Sequence, residues 1–217
     1  INNKIRTRVG GVDLMSGKTN HPFSPSFWGD IVSNDLSISA IEKSGNLLYL
    51  GGCFRRPSDN TTQAFAGFNT GDSSYVEGLG WNIQDFPDPI NKNGYGREHL
   101  SRTLVQTMKR RNNLLYVGGR FSQVSGLARS GLFCYDIEKK QITNLNIPFD
   151  DVIYDLDIDQ SNNILYAVGR FHTVNGLPRP RGAAIDLNTS GVTDWNPAFY
   201  RHPLNVKVHP SGVLVGG

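Results

Sequence analysis

The chain has 217 residues, 38% of them hydrophobic, and its 22 basic and 19 acidic residues leave a net charge of +3. This length and apolar fraction suit a single all-β domain, and so small a net charge argues against a nucleic-acid partner. No apolar run approaches the roughly 18 residues of a membrane-spanning helix. The 24 glycines and 11 prolines favour many turns and short strands over long helices.

A repeat with a period near 50 residues runs through the chain. An apolar run that ends in a Gly-Gly doublet, or in its variant Val-Gly, occurs at residues 46–54, 113–121, 163–171 and 213–217. The second glycines stand at positions 52, 119, 169 and 217, so the spacings are 67, 50 and 48 residues. The longer first spacing indicates an insertion, which we assign to residues near 84–102.

A second landmark keeps the same rhythm at residues 11–14, 67–70, 134–137 and 184–187, each with an Asp or Asn as its third residue. Each unit also contains an alternating run, such as residues 154–158, and a polar turn before the doublet strand. We assign the third strand to the Asp landmark and the fourth to a segment closing on an aromatic residue or proline, such as Trp195. The short basic run Lys109 to Arg111 is expected in a turn.

Four antiparallel strands in about 50 residues predict a β-propeller blade. The expected fold is therefore all-β, a β-propeller of four-stranded blades that spans residues 1–217 as one domain or a partial propeller. The repeats run near 3–54, 55–121, 122–171 and 172–217. The first residues can complete the blade that the last residues leave unfinished, which gives four blades. We instead expect a fragment of a larger propeller, or a part of a longer chain or assembly.

Residues 116–126 and 181–197 resemble the delta-60 repeat, a β-propeller family of large secreted or surface bacterial proteins. The doublet is also kelch-like, and a similar repeat occurs in Rax2-type fungal cell-polarity surface proteins. The resemblance covers nearly the whole chain, except for about residues 84–102 and the segment after the last doublet. It implies a fold and an extracellular or cell-surface location, but no active site, because the family shares no catalytic motif.

Candidate sites are few. Asp155, Asp157 and Asp159 lie on one face of a strand, where carboxylate oxygens can converge on Ca²⁺, but the glycine turn and terminal Glu of an EF-hand are missing. We therefore expect a solvated face or inter-strand pairing there, and no metal or cofactor. The five histidines lack metal-ligand spacing. Cys53 and Cys134 fall at different repeat positions and are expected to be separate buried thiols.

Other features concern partners. The insertion is predicted to be a surface loop for partner contacts, with Asp85, Phe86, Asp88 and Tyr95 as its candidate residues. Asn60 and Asn188 each begin an N-glycosylation triplet. Tyr49, Tyr116, Tyr166 and Leu214 are predicted to be equivalent packing positions.

Three functions remain open. The first is a non-catalytic structural or interaction module of an extracellular or surface protein, with a protein or carbohydrate partner. The second is a propeller lyase or hydrolase with a site in the central channel, and the third is a Ca²⁺-binding propeller. We expect the first, and therefore no enzyme activity.

Overall fold

The computed structural model describes residues 14–16, 37–55, 62–76, 79, 81–84 and 104–217. These residues form antiparallel β-strands and no helix. The strands are β1 (Ser37–Ser44), β2 (Leu47–Arg55), β3 (Thr62–Asn69), β4 (Ile83–Gln84), β5 (Val105–Arg111), β6 (Leu114–Gly119), β7 (Gln123–Val124), β8 (Leu127–Ala128), β9 (Leu132–Asp136), β10 (Gln141–Ile142), β11 (Ile153–Asp159), β12 (Ile164–Gly169), β13 (Thr173–Val174), β14 (Leu177–Pro178), β15 (Gly182–Asp186), β16 (Gly191–Val192), β17 (Asn205–His209) and β18 (Gly212–Gly216). Nothing in this part of the chain is a helix able to cross a lipid bilayer.

Each of the first three sheets contains, in chain order, a first strand, the doublet strand and the strand of the Asp landmark, so these sheets extend across the repeat boundaries near residues 54, 121 and 171. The first sheet has the order β1-β2-β3, the second β5-β6-β9-β10 and the third β11-β12-β15-β16, and β17 pairs with β18 in a terminal hairpin. In every unit the first residue of the doublet faces an equivalent residue of the first strand: the pairs are Gly51 with Ala40, Gly118 with Thr107, Val168 with Asp155 and Gly216 with Asn205.

Two small hairpins were not predicted. β7 pairs with β8 and β13 with β14, and β4 joins the first of these hairpins through β7. Each has a two-residue turn, Ser125-Gly126 or Asn175-Gly176, in which φ is positive at both residues, from 49° to 81°. Asn-Gly is the strongest short hairpin signal in a sequence, so the turn at Asn175-Gly176 has a clear sequence signature.

The recurring Asp landmark caps the turn after the third strand. Asp136 Oδ1 accepts hydrogen bonds from two backbone N–H groups of the following turn, at 3.1 and 3.0 Å. Asp186 Oδ1 does the same, at 2.7 and 3.4 Å. In the first sheet Asn69 Oδ1 accepts the Gly71 N–H at 3.0 Å. A short side chain that accepts from its own turn explains why only Asp or Asn stands at this position.

The fourth strands are shorter than predicted, because β10 and β16 have two residues each and end before Phe149 and Trp195. Beyond them, Thr143 N and Thr193 N still donate to the Cys134 and Ala184 carbonyls of the third strands at 2.8 Å, and side chains satisfy further backbone groups. The guanidinium groups of Arg129 and Arg179 donate to the carbonyls of the residues that follow the two strands, Thr143 and Thr193, at 3.1 and 2.7 Å. The threonine hydroxyls in turn accept backbone N–H groups two residues on.

The basic run does not form a turn. Lys109 to Arg111 are the last residues of β5, and the turn follows at Asn112, where φ is 52°. The predicted position was wrong because the strand continues far enough for Lys109 to face Asp157 of β11, with 3.9 Å between Nζ and Oδ1.

The core lies between successive sheets. One cluster joins the first and second sheets and is formed by residues such as Tyr49, Phe65, Val105, Leu115 and Phe133. A second cluster joins the second and third sheets and includes Tyr116, Leu132, Ile153, Leu156 and Phe171. The second sheet thus contributes one face to each cluster, which its nearly continuous apolar strand β6 requires.

The four predicted packing positions are equivalent by strand register. Tyr49, Tyr116, Tyr166 and Leu214 lie opposite Glu42, Lys109, Asp157 and Lys207. Tyr49 and Tyr116 are buried, and Tyr166 is half-buried with its ring 5.2 Å from that of Trp195. Leu214 is 56% exposed. Burial therefore falls towards the terminal hairpin.

Candidate functional site

The second glycine of the doublet shapes the start of each first strand. A Cβ on Gly52, Gly119 or Gly169 would lie 2.0 to 2.2 Å from a backbone carbonyl oxygen that precedes or begins the first strand. In two units the residue after the doublet donates to this same carbonyl, from Arg120 N at 2.8 Å and Arg170 N at 3.0 Å. Glycine is required because the carbonyl occupies the space of a side chain.

Two residues beyond the residue that carries this carbonyl, the first strand contains a β-bulge. The register shifts at Ser39 in β1, at Gln106 in β5 and at Tyr154 in β11. A bulge redirects the side chain of the extra residue away from the regular alternation. The three bulge residues are all polar, yet no two of them are the same.

The bulges border a polar cavity of about 340 Å³ between the first strands of all four units. Its polar lining comes from Ser39, Gln106, Thr107, Tyr154, Asp155 and Asn205, with Lys109 beside them. The sequence did not reveal this group, because its members come from four strands about 50 residues apart and the residue type changes at each repeat. The cavity is our candidate functional site.

Asp155 binds the neighbouring strands together. Its Oδ1 accepts the Thr107 hydroxyl at 2.9 Å and the backbone N–H of Leu156 at 2.9 Å, and its Oδ2 accepts the Val206 N–H at 3.0 Å. Three donors from β5, β11 and β17 meet one carboxylate, and such bonds to a charged acceptor are stronger than neutral ones. The inter-strand pairing expected from the sequence is present here.

Asp157 has a similar role one step further along β11. It is 7% exposed, its Oδ2 accepts the Val208 N–H at 2.8 Å, and the Lys207 ammonium lies 3.0 Å from the same oxygen. The equivalent positions of the four first strands are Glu42, Lys109, Asp157 and Lys207, so charge alternates from unit to unit. At Glu42 burial raises the carboxyl pKa, although the positive charges of Lys109 and Arg110 oppose the shift.

Asp159 does not join the other two carboxylates. It accepts two backbone N–H groups and the Asn162 amide from the turn after β11, at 2.9, 3.0 and 2.7 Å. The hydrogen bond from the Asn162 side chain is the main cause that lowers the Asp159 pKa. In the described part of the chain, no three His, Cys, Asp or Glu side chains are grouped as a metal site would need.

The acidic pair before β11 is also engaged. Asp150 Oδ1 accepts the N–H groups of His172 and Thr173 at 2.8 and 3.0 Å. Asp151 forms a two-point ion pair with Arg170, with N–O distances of 2.7 and 3.1 Å. Burial acts to raise the pKa of Asp151, but the hydrogen bonds and charge of Arg170 outweigh it and hold this pKa below its ordinary value.

Two side chains of the cavity differ from these. Tyr154 is half-buried and Asn205 is exposed, and neither the Tyr154 hydroxyl nor the Asn205 amide bonds to another described residue. The Ser39 hydroxyl donates to the Val105 carbonyl at 2.5 Å, and the Thr107 hydroxyl donates to Asp155. Both hydroxyl oxygens can still accept a hydrogen bond. These uncharged groups can therefore still bind a ligand, although the charged groups of the cavity already have partners in the protein.

A second cavity, of about 450 Å³, lies between the second and third sheets beside Tyr116, Cys134 and Thr143. Burial raises the pKa of the Cys134 thiol to about 12, so the sulfur is protonated and a poor nucleophile at neutral pH. Cys134 is a free buried thiol, as expected.

The remaining predicted residues are placed as follows. The partner-loop candidates Asp85, Phe86, Asp88 and Tyr95, and also Asn60, lie outside the described residues. Asn188 is exposed in the turn after β15, and its amide oxygen accepts from Asn163 Nδ2 at 3.0 Å. An exposed position does not by itself make this asparagine a glycosylation site, so that expectation stays a prediction.

No protein-family model and no curated protein sequence matches the chain. Among solved structures, two computationally designed proteins are similar at 13% identity. Ika8 is matched over 84% of this chain and 43% of its own, with a TM-score of 0.47, and Ika4 over 86% and 95%, with a TM-score of 0.46. This chain thus spans less than half the length of Ika8.

Proposed function

We propose that this chain is a non-catalytic interaction module built on a β-propeller, with the polar cavity as its binding site. The proposal includes the extracellular or cell-surface setting that the delta-60 resemblance implies. One observation carries it: four repeat units direct non-recurring polar side chains into one cavity.

The propeller arrangement is supported by the bonds between successive first strands. Ser39 of β1 donates to the Val105 carbonyl of β5, Thr107 of β5 donates to Asp155 of β11, and Asp155 accepts from the Val206 N–H of β17. First strands that follow one another side by side, with sheets packed face to face behind them, fit blades set around an axis. The cavity would then lie at one end of the central channel.

Binding is favoured over catalysis because the charged groups at the cavity are already in use. A general acid or base must contact the substrate through an atom that is free to give or take a proton. Asp155 accepts three protein donors, and Lys109 faces the buried carboxylate of Asp157. The groups without such bonds, a phenol and an amide, are able to donate and accept hydrogen bonds to a ligand.

Prolonged incubation with glycosides and peptides, followed by mass spectrometry, tests the non-catalytic function. We expect every probe to be recovered unchanged from the wild-type protein. Formation of a hydrolysis or elimination product at a rate that falls in Asp155→Asn would contradict the proposal and favour the channel-enzyme alternative. The Asp159→Asn variant is the matched control, because that carboxylate lies outside the cavity and its turn can be held by an amide oxygen.

A further inference from the structure

We infer that the polar cavity takes a neutral carbohydrate, one sugar ring of a glycan, with Tyr154 and Asn205 as its principal recognition residues. This inference rests on the proposed binding function and adds the chemical class of the ligand.

The hydrogen-bonding groups match those of a sugar. Asn205 lines the wall, and its amide offers both a donor and an acceptor. The Ser39 and Thr107 oxygens remain as acceptors. A sugar presents neighbouring hydroxyls that donate and accept at once, and a mixed wall of amide and hydroxyl groups complements that pattern.

The electrostatics point to a neutral ligand. The cavity wall carries one positive charge, on Lys109, and one negative charge, on Asp155. Lys109 faces Asp157, and three donors surround Asp155. A charged ligand would lose its hydration and would have to displace these hydrogen-bond and ion-pair partners to reach either charge, and that loss is costly.

The size of the cavity agrees with this class. At about 340 Å³ the cavity is near the lower end of the range for small-molecule sites. It therefore suits a single ring better than an extended chain.

Saturation-transfer NMR and calorimetric titration of the full chain test the inference. The probes are the methyl glycosides of glucose, galactose, mannose and N-acetylglucosamine, with glucuronate and glucosamine as charged counterparts. We expect at least one neutral glycoside to bind, and to bind at least about tenfold more tightly than its charged counterpart, a difference that corresponds to about 1.4 kcal/mol.

The variants Tyr154→Gln and Asn205→Thr place at these positions the residues that the second sheet carries at the equivalent ones, Gln106 and Thr107. Each should weaken binding about tenfold or more and leave the fold intact, whereas Tyr154→Phe should retain part of the affinity. Tyr200→Ala is the matched control, because Tyr200 is 91% exposed and does not line the cavity.

No binding by any neutral glycoside, preference for a charged one, or binding insensitive to both cavity variants would overturn the inference. These outcomes are distinct from failure of the proposed function. A glycoside that is bound and chemically converted contradicts the non-catalytic role and keeps the ligand class, whereas probes that are neither bound nor converted remove only the ligand class.

Discussion

The turn after the third strand and the cavity beside the first strands belong to the same repeat units, yet they follow opposite rules. At the turn, Asp136 and Asp186 make the same hydrogen bonds in two units. At the bulges of the first strands, each of three units has a different residue: Ser39, Gln106 and Tyr154. Residues that each unit needs for folding recur, and positions that folding does not constrain can vary and contact a ligand.

The largest effect should come from removing a recurring core side chain. Tyr116 is 3% exposed between the second and third sheets, so Tyr116→Ala should cost about 3 to 5 kcal/mol, and Tyr116→Phe much less. The equivalent Leu214 is 56% exposed, and Leu214→Ala should change the melting temperature little. Equal losses at the two positions would mean that burial does not decide their contribution.

The second glycine of the doublet should come next. In Gly169→Ala the new Cβ would lie 2.2 Å from the Val152 carbonyl oxygen, so the backbone must move, and we expect a loss of about 3 kcal/mol in urea unfolding. The control is Gly216→Ala, because nothing lies within 4 Å of its Cβ position. A Gly169→Ala protein as stable as the wild type would contradict the close-approach explanation of the doublet.

A smaller effect is expected from the carboxylates of β11, where the same Asp-to-Asn substitution can be compared at Asp157 and Asp159. Asp157→Asn removes the charge that faces Lys207 and Lys109 and weakens the bond from Val208 N, so it should cost about 1 to 2 kcal/mol. Asp159→Asn keeps an oxygen acceptor for the two backbone N–H groups of its own turn and loses only the bond from the exposed Asn162 amide, so it should lower the melting temperature less. A larger loss of stability in Asp159→Asn than in Asp157→Asn would show that Asp157 does not hold β11 in place.

The ion pair of Asp151 should have the smallest of these effects and a defined pH dependence. Because the folded-state pKa of Asp151 is lowered, the pair stabilises the protein above the ordinary carboxyl pKa of about 4 and loses this effect as the pH falls through the folded value. Thermal unfolding should therefore show a gap of up to about 1 kcal/mol between wild type and Asp151→Asn at neutral pH, shrinking below about pH 4. A gap that widens on acidification would reverse the assigned sign.

The sequence predicted features built from recurring residues better than those built from varied residues. The all-β class, the order of strands within each unit and the equivalence of the doublets were readable because Gly, Asp and Tyr recur at a fixed period. The short hairpins were missed although Ser125-Gly126 and Asn175-Gly176 signal them. The cavity was not readable, because Tyr154 and Asn205 meet only after bulges and inter-strand bonds bring distant segments together.

Thermal unfolding of two double variants tests most directly the claim that recurring residues maintain the fold and varied residues do not. Tyr154→Gln with Asn205→Thr changes two cavity positions and should stay within about 2 °C of the wild type. Asp136→Ala with Asp186→Ala removes two turn caps and should lower the melting temperature by about 5 °C. If the cavity variant loses as much as the turn variant, the varied residues are part of the scaffold, and the separation of fold from binding site proposed for this protein is wrong.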